Sequence, residues 1–432
     1  MIFLNSTLKT IFFVFVGISL PIIALAQSSV NTPYSSDGFG NSITTNTTEN
    51  IALGKYGTTF NSPFSLNLNN PASYKSIIYT TFQASAFFGS ERQYYKDSTR
   101  NTLNGNFNFG SLAFPINKWI GAGFGFAPFS SFGYNIKKNN VSYGNQLADV
   151  SYSGDGSINK AFCGVGMNPF KLISDSIMPD FSFGISSSFL FGRASRTSST
   201  NFLGTDTSGL YINQSLKENN YRGMALVYGI QNKFKLNKNF NLKIGISYEG
   251  KIRINNKENL LSGTTNGSSG ILLVLADSLE NNIFVPASYS VGFGIVFKES
   301  VSMFFDYKMQ DFSQFKFAQT NFSGNLNQIY SLGIQYLPKP DLKGNVLERS
   351  VYRLGGYSSN GSYKINNTAV PEIGLSFGFG LSAKYQSPPM LNLAFEYIQR
   401  GNTGRDFLLE KFYRVNVGIT INDRWFVKRK IE

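Results

Sequence analysis

The feature that most constrains the fold of this chain is the alternation of apolar and polar residues in many long segments. The clearest case is residues 241–254, where apolar residues occupy alternate positions. Alternate positions of a β-strand point to the same face, so the pattern predicts one strand with two different faces. The predicted apolar face contains Leu242, Ile244, Ile246, Tyr248, Ile252 and Ile254, and the charges predicted on the other face are Lys243, Glu249, Lys251 and Arg253.

The same pattern predicts fourteen strands and an all-β fold, a 14-stranded antiparallel transmembrane β-barrel. Strands of globular proteins have about 5–6 residues, whereas about 9–11 residues cross a bilayer as a tilted strand, and the segments here are longer still. Charged residues make up 15% of the chain, below the roughly 25% of soluble domains. A soluble β-sandwich would also alternate, but its polar face would meet solvent. The predicted strands are at about 76–90, 103–115, 119–135, 150–166, 181–198, 216–234, 240–257, 285–298, 301–315, 325–337, 351–365, 370–386, 390–401 and 410–422.

The predicted connections alternate between short and long, which is typical of outer-membrane barrels with short periplasmic turns and long extracellular loops. An even number of strands places both ends of the barrel wall in the periplasm. The short connections are 115–118, 235–239, 299–300 and 387–389, and the long ones include 199–215 and 258–284. The most apolar stretch after the leader, Gly270–Leu279, falls in the longest connection. It is read either as a lip that catches an apolar ligand or as a packed strand extension.

The N-terminal residues predict two segments ahead of the barrel. Residues 1–26 have the charged start, apolar centre and Ala24-Leu25-Ala26 end of a secretory signal peptide. Residues 27–75 are polar and do not alternate. About eight strands enclose an interior that side chains just fill, so a wider barrel is open or plugged. We therefore interpret residues 27–75 as an N-terminal hatch rather than a disordered leader, residues 76–422 as the barrel, and residues 423–432 as a periplasmic tail.

Composition argues against an enzyme. The chain has no histidine, which excludes the usual triads and histidine-containing zinc sites, and its single cysteine, Cys163, is read as a small strand residue. No nucleotide or metal motif stands out, so no cofactor is expected. The net charge of +14 is spread along the chain and is clustered only at Lys428–Lys430. It favours contact with outer-membrane lipid and lipopolysaccharide over nucleic acid, and a monomer is expected.

The predicted third strand contains an unusual interruption. Gly121, Gly123 and Gly125 alternate with larger residues, and Pro128 then breaks the pattern. Proline cannot donate a ladder hydrogen bond, so it marks a bulge, kink or edge. We predict a functional kink at Gly125, Pro128 and Phe129. The alternative is a bulge at the extracellular rim that has no role in transport.

Several motifs in order resemble the FadL-type outer-membrane transporters of hydrophobic compounds, the TodX-like group included, in the version common in Bacteroidetes. Pro33–Gly40 resembles the start of the FadL hatch, and Asn70-Pro71-Ala72 is similar to the signature that closes it. Phe114–Phe126 resembles the second turn and strand of the family. The later matches are Val285–Phe297, Asp306–Phe315 and Tyr352–Asn360.

The resemblance implies passive uptake of hydrophobic small molecules such as long-chain fatty acids, with lateral release through a gap at a kink in the third strand. Of the charges predicted to face the lumen, Lys308 and Arg414 are the candidates for binding a carboxylate head group. The others in that set, Asp306 and Glu396 among them, are read as pairing with one another and holding the hatch to the wall. The alternative function is a FadL-family barrel that acts as a scaffold or shuttle in protein secretion.

Overall fold

The computed structural model describes residues 32–36, 38–55, 57–144, 146–172, 178, 180–203, 211–266, 269–315, 322–342, 344–382, 390–402 and 408–423. The predicted signal peptide and nearly all of the predicted tail lie outside these residues. The barrel strands, numbered in chain order, are β1 Thr80–Tyr95, β2 Ser98–Pro115, β3 Ile120–Tyr143, β4 Gln146–Met167, β5 Ser182–Leu203, β6 Tyr211–Lys235, β7 Phe240–Glu249 with Ile252–Asn266, β8 Ser269–Val285 with Ser288–Phe297, β9 Val301–Asp311, β10 Leu326–Tyr336, β11 Val351–Ser359, β12 Glu372–Leu381, β13 Leu391–Arg400 and β14 Leu409–Asp423.

The fourteen strands form a closed barrel. Each pairs antiparallel with its neighbour in sequence, and β14 returns to pair with β1, from Thr80 opposite Asp423 to Tyr94 opposite Leu409. Closure pairs the first strand with the last, which matters in the bilayer because an unpaired backbone group there costs several kcal/mol. The predicted all-β barrel of fourteen antiparallel strands is confirmed.

Aromatic side chains mark two levels on the outer face. Tyr228, Tyr248 and Tyr289 lie opposite one another on β6, β7 and β8 and form the tyrosine girdle. Phe240 and Phe297 form a second contact nearer the short turns, with ring centroids 4.8 Å apart. Eight residues separate the two levels along β7, or about 26 Å of strand. This spacing suits an apolar band about 25 Å tall between aromatic girdles. None of the helices in the described ranges is long and apolar enough to cross a membrane.

One side of the barrel is much taller than the other. Strands β3 to β6 have 24, 22, 22 and 25 residues, whereas β11 has nine. The interval 258–284, predicted as a long connection, is a hairpin in which β8 pairs with β7 from Ser269 to Val285. Gly270–Leu279 is therefore part of a strand extension, and Leu275 and Leu279 in it are exposed.

The faces predicted for residues 251–254 are wrong. The β7 ladder is interrupted between Glu249 and Ile252, and the side-chain alternation shifts there. Ile252 and Ile254 are buried in the interior, whereas Lys251 and Arg253 are exposed on the outer face. One extra residue at a break exchanges the two faces of everything beyond it. Lys251 and Arg253 therefore do not belong with the lumen charges.

The short connections 116–119, 236–239 and 298–300 all lie at the same end of the barrel. The predicted turn 387–389 lies outside the described residues. Ahead of β1, residues 32–79 form the N-terminal segment, which includes the helix α1 Thr48–Ala52 and 3-10 helices at Pro33–Ser35 and Pro71–Ser76. This segment packs against the inner wall through contacts of Pro71–Ser76 with β4, β5 and β6 and of α1 with β12 and β13.

Candidate functional site

The wall opens between β2 and β3. Their ladder runs only from Pro115 opposite Gly121 to Gly110 opposite Phe126, although both strands continue well beyond it. On its other side β3 remains paired with β4, with a register shift between Pro128 and Ser130. Gly125 is one residue from the end of the β2–β3 ladder. The predicted kink thus lies where two adjacent strands of the barrel separate.

The N-terminal segment satisfies the freed edge of β3. Asn41–Ser42 forms a short strand opposite Ser130 and Ser131. The Ile43 amide donates to the Phe129 carbonyl at 2.9 Å. Further bonds run from the Ser130 hydroxyl to the Phe39 carbonyl, from the Thr45 hydroxyl to the Pro128 carbonyl and from the Thr32 amide to the Gly133 carbonyl. These bonds supply the partners that β2 would otherwise provide, which a sheet edge in lipid requires.

Two cavities meet at this place. The wall cavity, of about 100 Å³, lies in the opening and is bordered by Phe107, Phe126 and Pro128. The central cavity, of about 230 Å³, lies inside the barrel and is bordered by Phe129 and by residues 38–45 of the N-terminal segment. Among the described residues, Ile43 alone borders both cavities. Ile43 is therefore the partition between the barrel interior and the opening.

The central cavity has an apolar part and a charged part. The ring of Phe39 lies 6.1 Å from that of Phe129, 6.4 Å from Phe312 and 5.6 Å from Phe315, measured between ring centroids. Polar groups border the rest of the cavity, including Lys160, Glu249 and Lys308. Lys308, predicted to contact a head group, thus faces this cavity. Arg414 is not among the residues that border it and lies over the rings of Phe87 and Phe412.

Asn70-Pro71-Ala72 fixes the end of the N-terminal segment against the wall. The Asn70 side chain is fully buried and caps the Pro71–Ser76 helix, with its Oδ1 accepting from the Ala72 amide at 3.0 Å. Its Nδ2 donates to the carbonyls of Thr58 at 2.9 Å, Ile246 at 3.2 Å and Ile230 at 3.3 Å. One side chain thus links the helix, the N-terminal segment and two wall strands.

Glycines of the wall make this close approach possible. A Cβ at Gly121 would lie 1.9 Å from the Tyr74 carbonyl oxygen, and one at Gly355 would lie 2.2 Å from the Gly54 amide nitrogen. Burial raises the pKa of the Tyr74 phenol above its ordinary value, so this buried side chain stays neutral. The wall glycines that the N-terminal segment contacts in this way include Gly121, Gly166, Gly184, Gly229, Gly245, Gly333, Gly355, Gly378 and Gly418.

Buried charges also join the N-terminal segment to the wall. Lys55 forms an ion pair with Glu396 at 3.0 Å and donates to the Tyr357 hydroxyl at 2.8 Å. The Asp306 carboxylate accepts from the Thr58 amide at 2.7 Å, and Lys243 donates to Asn61 at 2.7 Å. These contacts fit the interpretation that lumen charges hold this segment to the wall. The wall residues that do so are Lys243, Asp306 and Glu396.

A second buried group lies higher in the lumen around Arg400. Two of its nitrogens contact Glu372 Oε2 at 2.7 Å, and its Nη1 donates to Asn41 at 3.2 Å. Glu410 lies 3.7 Å from the guanidinium and accepts from the Thr32 hydroxyl at 2.5 Å. This group ties the start of the N-terminal segment to β12, β13 and β14.

Sequence reasoning predicted a kink at Gly125, Pro128 and Phe129, close to where the β2–β3 ladder ends, but it did not single out Ile43. Residues 41–45 are short and mostly polar, and nothing local marks them as partners of β3. The sequence shows glycines that alternate with larger residues in the predicted third strand. Glycine at every second position was the signal in the sequence that the N-terminal segment packs closely against the inner face of the wall.

The comparisons with known proteins agree with this architecture. No curated protein matches the chain. The structure of a FadL homologue from Pseudomonas aeruginosa is similar with a TM-score of 0.56 at 12% identity, over 88% of this chain and 99% of that one. The toluene transporter TodX of Pseudomonas putida matches with a TM-score of 0.50 at 15% identity, over 88% and 98%. The model of the BamG family matches residues 7–432. The chain belongs to the BamG family.

Proposed function

We propose that this protein is an outer-membrane channel for passive uptake of hydrophobic small molecules, with lateral release between β2 and β3. In this proposal residues 1–26 are removed on export and residues 27–75 act as the hatch. The observation that carries the proposal is the partition at Ile43. A central cavity with an apolar part and an opening in the wall are separated by Ile43 and one short strand.

The proposed route needs only a local movement. A ligand from outside loses water as it enters beside Phe39 and Phe312, with about 0.8 kcal/mol gained per buried CH₂. Displacement of Ile43 then joins the two cavities, and the ligand passes Phe107 and Phe126 into the bilayer. The ion pair of Lys55 with Glu396 lies elsewhere on the N-terminal segment and stays intact, as does the pair of Arg400 with Glu372 within the wall.

The size of the central cavity bears on the ligand class. Pockets for drug-sized ligands occupy about 300–1,000 Å³, and this cavity, at about 230 Å³, is smaller. It suits a compact apolar molecule, or part of a long-chain fatty acid whose carboxylate contacts Lys308. Because TodX is a toluene transporter, toluene and a long-chain fatty acid are the two probes to compare.

The test is uptake of each labelled probe by cells that lack their own transporter, at matched surface levels of the protein. Ile43→Ala is expected to raise uptake because it removes the partition, and Ile43→Trp is expected to lower it. Leu354→Ala, a change of similar type at an exposed outer-face position, is the control. Absence of uptake of both probes by a correctly folded wild-type protein would overturn the transport proposal.

A scaffold role is the second candidate, and the tall side of the barrel favours it. Strands β3 to β8 rise above the tyrosine girdle as a continuous sheet, which offers a large surface to another protein. The hydrogen-bonded N-terminal segment also leaves a small interior cavity. Photo-crosslinking from position Leu275 or Leu279 in cells discriminates the candidates. A single specific adduct together with no uptake would favour the scaffold.

A further inference from the structure

A basic concave surface lies on the outer face of the barrel just above the tyrosine girdle. It is formed by β5, β6, β7 and β8 and encloses about 1030 Å³. Arg193, Arg222, Arg253 and Lys257 border it, with one carboxylate, Glu280. This surface exists because the alternation shifts between Glu249 and Ile252 and turns Arg253 outward.

The cations of this surface are only partly neutralised. Arg193 forms an ion pair with Glu218, and Arg253 donates to the Asn282 amide oxygen at 3.1 Å. Within the described ranges, Arg222 and Lys257 form no ion pair. Asparagines stand between the cations on the same face: Asn220 opposite Arg193 and Asn255 opposite both Arg222 and Asn282. Such side chains donate to and accept from sugar hydroxyls, while guanidinium groups bind phosphate.

The surface continues downward into lipid-facing residues. Met224 lies opposite Arg253, which lies opposite Phe284. Met224 is 64% exposed and Phe284 46% exposed. Four residues further down β6 is Tyr228 of the girdle. A ligand here would place an anionic, hydroxyl-rich head on the cations and asparagines and an acyl chain on Met224 and Phe284.

We propose that this surface binds the phosphorylated saccharide head group of lipopolysaccharide in the outer leaflet. A free sugar phosphate would gain nothing from Met224 and Phe284, whereas an amphiphile uses both parts of the site. The inference rests on the proposed outer-membrane location but not on transport, because binding is measured on purified protein and uptake is measured separately.

The test uses the full-length protein purified in a neutral detergent and titrated with lipopolysaccharide, with the same material after dephosphorylation, and with inorganic phosphate. The variant R222Q/R253Q removes two cations from the surface. The control K137Q/K138Q removes two exposed cations from the upper part of β3, outside the surface. We expect the affinity for lipopolysaccharide to fall at least tenfold in R222Q/R253Q, to stay within twofold in the control, and to fall for the dephosphorylated lipid.

Equal losses in the two variants would overturn the proposal, because charge alone would then explain binding. So would equal affinity for the dephosphorylated lipid. Competition by inorganic phosphate at concentrations comparable to the lipid would assign the site to free phosphate instead. If R222Q/R253Q fails to fold, as judged by its mobility with and without heating, K257Q alone replaces it with a smaller expected loss.

Discussion

Asn70 and Gly229 approach so closely that a Cβ at position 229 would lie 1.9 Å from Asn70 Oδ1. Asn70 therefore occupies the space that a side chain at position 229 would need. Gly229→Ala must push Asn70 away from the wall, which disrupts the cap of the Pro71–Ser76 helix. We expect a lower thermal midpoint and faster proteolysis between residues 55 and 75.

The control for this substitution is Gly250→Ala. The nearest neighbouring atom to a Cβ there is the Leu226 carbonyl oxygen at 3.8 Å, an ordinary contact. Proteolysis rates that rise equally in both variants would show that the contact with Asn70 is not the cause.

Asn70→Ala removes four hydrogen bonds at a fully buried position, one that the side chain accepts and three that it donates. It leaves the carbonyls of Ile230 and Ile246 without this donor, and a buried unsatisfied group costs about 1–3 kcal/mol. We expect a destabilisation of roughly that size per lost partner, measured as the shift in the urea midpoint. An unchanged midpoint would mean that the wall and the N-terminal segment are coupled elsewhere. Asn61→Ala, which loses only the bond to Lys243, is the matched comparison.

A disulfide between positions 42 and 130 tests whether the short strand beside Ile43 must move. Ser42 and Ser130 are directly opposite in an antiparallel pair, a separation that suits a disulfide. In a Cys163→Ser background, the oxidised Ser42→Cys/Ser130→Cys protein should lose uptake and the reduced protein should regain it. The pair Leu354→Cys/Phe377→Cys, opposite each other far from the opening, should have no such effect. Full uptake by the oxidised 42–130 protein would exclude the route past Ile43.

Arg400→Met should be strongly destabilising. It removes the cation between the half-buried carboxylate of Glu372 and the buried one of Glu410, and breaking a buried pair costs about 3–5 kcal/mol. Arg193→Met breaks an exposed pair with Glu218, for which the expected cost is about 0–1 kcal/mol. Unfolding in urea measures both. Similar small shifts would show that the Arg400 group contributes little to the fixed position of the N-terminal segment.

The sequence predicted much of the barrel because alternation is a local property. Every predicted strand overlaps an observed one, and Pro128, which cannot donate to a ladder, lies at the register shift of β3. Where the pattern misled, a single break was responsible. The alternation on either side of the break does not show that the two faces exchange between Glu249 and Ile252. It therefore predicts that Lys251 and Arg253 face the lumen.

The site was less accessible to sequence reasoning. Ile43 acquires its position from pairing with Phe129, which is distant in the chain, and residues 41–45 carry no pattern of their own. The positions of Lys308 and Arg414 relative to the cavity also could not be predicted from local sequence. Both are cations on alternating strands, but only the depth and course of the N-terminal segment decide that Lys308 borders the cavity and Arg414 packs on aromatic rings.

The buried bonds of the N-terminal segment also constrain the order of assembly. Thr32, near the start of the described chain, bonds to Glu410, which belongs to the last strand. Asn41 likewise depends on Arg400 of β13. These two contacts cannot form until the final strands are in place, so the start of the N-terminal segment lacks them while the barrel is still open. Formation of these two contacts therefore requires the last two strands, whereas the bonds that cover the freed edge of β3 involve only β3 and the N-terminal segment.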